Sequence, residues 1–135
     1  MGKRLIQQRR GRGTHTYKSP SHRFKGAVTV PALDTTGVIT DLVHCAGHSA
    51  PLMEVSYVTG EKGISIAPEG VKVGDGITIG AEASLQHGNV LPLGNIPEGT
   101  LIYNIELRPG DGGKLVRASG SFARIVSKTD VEVRV

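Results

Sequence analysis

Apolar and polar residues alternate in short stretches from Val28 onward, each closed by glycine or proline. Val38-Ile39-Thr40-Asp41-Leu42-Val43 lies between Gly37 and Gly47. Leu52-Met53-Glu54-Val55-Ser56-Tyr57-Val58 sets Met53, Val55 and Tyr57 against Glu54 and Ser56, then meets Thr59-Gly60. Ile64-Ser65-Ile66, Val71-Lys72-Val73 and Ile77-Thr78-Ile79 are shorter alternations, separated by Pro68, Gly70 and Gly74-Asp75-Gly76. Alternation places successive side chains on opposite faces of a strand, so each stretch predicts a strand. Five short strands at roughly 8–12 residue spacing predict a small barrel, not a parallel sheet with helices. An OB-like barrel over residues 31–85 fits them.

Residues 81–100 read as a joint with one helical turn, and a second β unit follows over 86–135. Leu101, Tyr103, Ile105 and Leu107 share one face of a predicted strand, with Asn104 and Glu106 on the other. Arg108-Pro109-Gly110-Asp111-Gly112-Gly113 is a glycine-rich loop, and Val131-Glu132-Val133-Arg134-Val135 alternates again. Leu115, Ala118, Phe122, Ile125 and Val126 have helical spacing. Gly120 would cost a helix about 1 kcal/mol, so strand–turn–strand is expected there. Glycine supplies 19 of the 135 residues, which favours tight turns over long helices. With no Trp, two Phe and three Tyr, the core rests on Val, Ile and Leu.

Charge changes the picture more than composition does. The net charge of +4 divides into a stretch over residues 1–25 with eight basic groups and no acidic one, at +8, and a remainder at −4. Lys3, Arg4, Arg9, Arg10, Arg12, Lys18, Arg23 and Lys25 make a basic arm, taken as residues 1–30, that has little to bury and calls for a polyanion. It is expected to order on that partner. The arm has no amphipathic face, and Leu5-Ile6 stands where a myristoylation signal needs Ser or Thr, so no membrane partner is expected. Nucleic acid remains. Arg9, Arg10 and Arg12 around Gly11 and Gly13 allow close backbone approach to phosphates, while His15, Tyr17, His22 and Phe24 offer flat faces to unstacked bases. No recognition helix is legible, so folded RNA is favoured over duplex DNA. The start lacks a secretory signal, no apolar run reaches the roughly 20 residues of a membrane span, and the single Cys45 suits a reducing cytosol.

Catalytic chemistry is hard to find. His44, Cys45 and His48 suggest metal ligands, but Ala46-Gly47 favours a turn and no second Cys/His pair follows at zinc spacing. Gly110-Asp111-Gly112-Gly113-Lys114 approximates a phosphate loop, yet Arg108 replaces its first glycine and Leu115 its metal-binding Ser or Thr. Either a flexible hairpin loop or close backbone contact with RNA, aided by Lys114 and Arg117, fits that stretch. The carboxylates lie singly, and Ser119 and Ser121 lack a nucleophile elbow. No catalytic residue, metal, cofactor or small-molecule substrate is expected. A small metal-dependent enzyme built on His44, Cys45 and His48 and a free-standing OB-type single-stranded RNA-binding module are the rivals to a structural RNA-binding protein.

These motifs, in their order, resemble one family. Gly37-Val38-Ile39-Thr40-Asp41-Leu42-Val43-His44 and Ser49-Ala50-Pro51-Leu52 look like the first barrel of large-subunit ribosomal protein two. The opening Met1-Gly2-Lys3-Arg4, the run Arg10-Gly11-Arg12-Gly13-Thr14 and Ser21-His22-Arg23-Phe24-Lys25 resemble its archaeal form. Ala67-Pro68-Glu69-Gly70-Val71, Ile96-Pro97-Glu98-Gly99 and Pro109-Gly110-Asp111-Gly112-Gly113-Lys114 with Arg117-Ala118-Ser119-Gly120 continue the match along essentially the whole chain. The resemblance implies an all-β chain: an OB-fold barrel, then an SH3-like barrel, behind an extended basic arm. It implies a cytoplasmic constituent of the large subunit without enzymatic turnover. Such a protein binds large-subunit ribosomal RNA and neighbouring ribosomal proteins. It supports assembly and subunit joining, and helps organise the peptidyl-transferase and transfer-RNA region. Arg117 matches an RNA-contacting arginine, and His48 stands where the family commonly has another, so the charge there depends on pH. With the arm, Arg108, Lys114, Arg117 and Arg124 are the residues expected to meet phosphates and sugars. Family members continue beyond the position of Val135 with a last strand and a basic extension. The second barrel is therefore expected to be incomplete here, with an open edge or one covered by RNA or a neighbouring protein.

Overall fold

A computed structural model describes residues 2–3, 10–31, 34–129 and 131–135. Its centre is a four-stranded antiparallel sheet, β1 (Thr35–Val43), β2 (Leu52–Tyr57), β3 (Lys62–Ile66) and β4 (Gly76–Ile79), in the order β3-β2-β1-β4. β1 is long because it serves two neighbours. Its first half pairs with β4 from Thr35↔Ile79 to Val38↔Gly76, and it pairs with β2 from Gly37↔Tyr57 to Val43↔Leu52. The β1–β2 register shifts between Ile39 and Asp41, so Thr40 bulges out and its hydroxyl donates to the Glu54 carbonyl at 3.1 Å. Such a bulge bends and twists the strand.

Alternation sorts the apolar residues onto both faces. Ile39, Met53, Val55, Tyr57, Ile77 and Ile79 form one buried cluster, flanked by Val30, Ala67, Val71 and Val90. Leu52, adjacent to Met53, points the other way and joins Cys45, Ala50 and Ile66 under Val28, Ile64 and Tyr103. Tyr103 therefore ties the second half of the chain to the back of the first sheet. Gly37 and Gly63 sit where a Cβ would strike the Tyr57 ring at 2.9 and 2.8 Å.

Val71-Lys72-Val73 is not a strand. Gly70 and Gly74 take positive φ on either side, and the Asp75 carboxylate accepts the Lys72 N–H at 3.0 Å, closing a turn. Residues 80–100 run through turns with one 3₁₀ turn at Leu93–Asn95.

Beyond it lie two small ladders: β5 (Leu101–Ile102) with β6 (Ala123–Arg124), and β7 (Ser127–Lys128) with β8 (Val133–Arg134). The long strand expected from Leu101 to Leu107 stops early because Asn104 turns the backbone to φ +52. Between Leu115 and Val126 no helix forms, but the expected first strand is only an isolated bridge of Leu115 with Ile105; a turn follows, with Ser121 N–H on the Ala118 carbonyl at 3.1 Å, and then β6. The named strands form several antiparallel sheets, and the only helical elements named among the described residues are short 3₁₀ turns, an all-β architecture. No helix among the described residues is long and apolar enough to cross a membrane.

Candidate nucleic-acid interface

The described basic residues of the arm are all exposed: Lys3, Arg10, Arg12, His15, Lys18, His22, Arg23 and Lys25. Arg4 and Arg9 lie outside the described residues. Two 3₁₀ turns, His15–Tyr17 and Ser21–Arg23, shape the segment without burying any of it. Among the described residues the one ion pair is Arg134 with Glu132 at 2.7 Å, so no described arm cation is neutralised within the described chain.

The arm is attached at its end. The Phe24 ring lies so close over Gly47 that a Cβ there would meet three ring carbons at 3.0 Å. Lys25 donates its backbone N–H to Cys45 Sγ at 3.4 Å, and Thr29 N–H reaches the Ile64 carbonyl at 2.9 Å. Phe24 is thus an anchor on Gly47 that stays as exposed as Tyr17, at 37%. His15, Tyr17 and His22 remain exposed.

Under the anchor, the turn of residues 45–48 is closed by His48 N–H on the Cys45 carbonyl at 3.1 Å, and His48 Nδ1 lies 3.3 Å from Cys45 Sγ. The Lys25 N–H, and after it His48, stabilise the thiolate and bring the Cys45 thiol down to about 7. No third His, Cys, Asp or Glu among the described residues joins this pair in a metal-binding cluster. With Nδ1 engaged on sulfur, Nε2 is the ring nitrogen left for other partners.

The same turn meets the second half of the chain. Ser49 Oγ accepts the Ser119 N–H at 3.1 Å, and Gly47, His48, Ser49, Arg117 and Ala118 line one concavity of about 360 Å³. Residues far apart in sequence, His48 and Arg117, therefore share a site. Arg117 is held from behind, its Nη1 donating to the Gly113 carbonyl at 3.3 Å. Val116 before it sits at φ +55, a conformation worth roughly 1–3 kcal/mol of strain for a non-glycine residue. Asn104 N–H on the Val116 carbonyl at 3.0 Å helps to hold it.

The glycine loop is pinned as well. Glu106 accepts the Gly110 and Gly112 N–H groups at 2.9 and 3.0 Å, one on each carboxylate oxygen. Lys114 N–H closes on the Ile105 carbonyl at 2.7 Å. The flexible hairpin weighed from sequence is thus a clamped turn, from which Arg108 and Lys114 project exposed. Arg124 stands apart, on the outward face of β6. Lys128 turns inward, its ammonium donating to the Gly94 and Ile96 carbonyls.

The larger concavity, about 790 Å³, is lined by Asp34, Glu82, threonines and no Lys or Arg, which suits no polyanion. Sequence reasoning missed the Glu106 clamp and the Ser49–Ser119 bridge, neither of which carries a local motif. It also missed the exposure of Phe122, which the alternation from Phe122 to Val126 does signal.

Residues 86–135 match the family described as Ribosomal Proteins L2, C-terminal domain. The chain is 48% identical to the large ribosomal subunit protein uL2 of Methanosphaera stadtmanae, over 98% of this chain and 60% of that protein. It is 52% identical to the protein of that name from Methanocaldococcus jannaschii, over 94% of this chain and 55% of the relative. With that of Methanococcus vannielii the identity is 50%, over 94% and 56%. The chain spans little more than half the length of these curated relatives.

Proposed function

Since the chain belongs to the family of large ribosomal subunit protein uL2, we propose that it is a structural, non-catalytic constituent of the large ribosomal subunit, acting in translation in the cytoplasm. Its work is to bind large-subunit ribosomal RNA beside neighbouring ribosomal proteins. Support of subunit assembly, and of the peptidyl-transferase and transfer-RNA region, belongs to the same proposal. So do the finer architectural assignments: an arm over 1–30, an OB-type barrel over 31–85 built on the four-stranded sheet, and an SH3-like barrel over 86–135.

The observation that carries the proposal is the seating of the arm. Phe24 and Lys25 dock on the turn of residues 45–48. The exposed cations of the arm therefore leave the body beside the concavity shared by His48 and Arg117. Phosphates followed along the arm would meet those two side chains next, and Arg108, Lys114 and Arg124 extend the positive face.

Neutralising the arm in place tests this. Deleting residues 1–25 would also remove Phe24 and Lys25, which anchor it, so Arg10, Arg12, Lys18 and Arg23 are changed together to glutamine in the full chain. Affinity for a large-subunit ribosomal RNA transcript is measured across salt concentrations. The slope of log affinity against log salt should flatten by about 0.7–0.9 for each phosphate that is no longer neutralised. An unchanged slope refutes the arm's role.

A further inference from the structure

The β5–β6 ladder presents an outward face that nothing among the described residues covers. Leu101 is paired with Arg124 and Ile102 with Ala123, so Leu101 and Arg124 point to the same side. The segment through Phe122, Ala123, Arg124, Ile125 and Val126 alternates strictly in burial: Ile125 is fully buried and Ala123 half-buried, while Phe122, Arg124 and Val126 are exposed. The ladder extends past its strand pairs, Ile125 N–H reaching the Thr100 carbonyl at 3.2 Å and Gly99 N–H the Ile125 carbonyl at 2.8 Å. Phe122 is 65% exposed, Val126 68% and Leu101 52%, around a guanidinium with no carboxylate partner among the described residues.

We propose that this face is a base-stacking site, in which the Phe122 ring receives an unpaired nucleobase of the bound RNA and Arg124 holds the phosphate or a second base beside it. The inference rests on the RNA-binding reading above and adds to it a contact with a base, where the contacts assigned above to the body are with phosphates and sugars. An aromatic ring exposed on a sheet beside an arginine is the arrangement by which single-stranded RNA is held through the π-faces of its bases. An arginine in the middle of the patch makes a purely apolar protein partner a poor fit, since its charge would be buried unpaired. Phe122 lies shortly after Arg117 along the chain, and Ser119 between them is bridged to Ser49. The stacking face thus follows the His48–Arg117 concavity along the chain by a few residues.

Phe122→Leu keeps an apolar side chain and removes the π-face, and Phe122→Tyr restores it. The position is exposed, so matching urea midpoints suffice to check folding. Affinity for a large-subunit ribosomal RNA transcript should fall about 5- to 150-fold in Phe122→Leu, with the salt slope unchanged, and return in Phe122→Tyr. Arg124→Gln should flatten the slope by one phosphate contact, or leave it unchanged with reduced affinity if the guanidinium stacks on a base. Unchanged affinity in Phe122→Leu assigns the face to a protein neighbour or to solvent and overturns the proposal. A flattened slope in that variant overturns it too, since a stacking contact releases no counterion. Failure of the unaltered protein to bind the transcript refutes the RNA-binding reading itself, a separate result.

Discussion

The glycine loop offers a sharp test of how the interface is built. Gly113 is buried at φ +72, and a Cβ built on it lies 2.3 Å from Asn104 Oδ1, 2.6 Å from its Cγ and 2.8 Å from its carbonyl oxygen. The amide could swing away, but the carbonyl belongs to a backbone held at φ +52 and cannot. Gly112, its neighbour, has φ +82 and nothing within 4 Å of its Cβ position. Gly112→Ala therefore carries only the left-handed penalty, about 1–2 kcal/mol. Gly113→Ala adds overpacking of about 1–3 kcal/mol to the same penalty. Urea unfolding of the two variants beside the parent should place Gly113→Ala below Gly112→Ala by that difference. Because the Gly113 carbonyl also holds Arg117, RNA affinity should fall further in Gly113→Ala than in Gly112→Ala. If the two variants agree within about 0.5 kcal/mol, the spread of ordinary surface changes, the loop gives way easily and the claim of a clamped turn fails.

Two titrations follow from the buried polar groups. The Cys45 thiol, lowered from 9.0 to about 7 by the Lys25 N–H and His48, is charged more readily in the folded chain than in the unfolded one. Stability should therefore rise as pH is raised from about 7 toward 9, and that rise should be absent from Cys45→Ser; equal pH profiles in the two chains would disprove the contact. Tyr103, pushed up to about 12 by burial against the first sheet, keeps its proton longer when folded, so stability should decline from pH 10 to 12 by about 2–3 kcal/mol. Tyr103→Phe should remove most of that decline. Thermal unfolding at stepped pH reads it, and an identical alkaline decline in both chains would place Tyr103 in solvent.

What the amino-acid pattern disclosed, and what it concealed, follows one physical line. β1, β2, β3 and β4 were legible because alternation is local and each of these strands has one face against a core. Val71-Lys72-Val73 alternates as well, but flanking glycines and the Asp75 carboxylate decide for a turn, and alternation over three residues is too short to resist them. The second half was less legible. Asn104 breaks a run of four alternating apolar residues because the backbone there must turn so that Asn104 and Ile105 donate their N–H groups to Val116 and Leu115, a demand set by residues that follow much later. The arm's cations could be read off directly, since exposure needs no partner. The meeting of His48 with Arg117 could not be read without the fold, because it depends on the Ser49–Ser119 bridge and on Tyr103 seating one half on the other.

Net charge would assign the body, at −4, a poor surface for RNA, yet charge placement matters more than its sum. Four carboxylates are turned onto the chain's own backbone: Asp41 accepts from Leu42 N–H, Asp75 from Lys72, Glu98 from Lys128 and Glu106 from Gly110 and Gly112. Their lone pairs face amides. Lys128, whose ammonium also turns onto carbonyls, is withdrawn in the same way. Arg108, Lys114 and Arg124 have no such use among the described residues and face outward. Asp75 and Glu106 thus fix turns, and Arg108, Lys114 and Arg124 are left for a ligand. In the proposed function, a rigid surface of that kind and a basic arm divide the work of binding. Clamped turns would meet phosphates with little further ordering, while an arm whose described residues bury so little would be ordered on contact and would depend on many charges to offset that cost. Phe24 and Lys25 would shorten the length to be ordered by fixing its inner end to the rigid part.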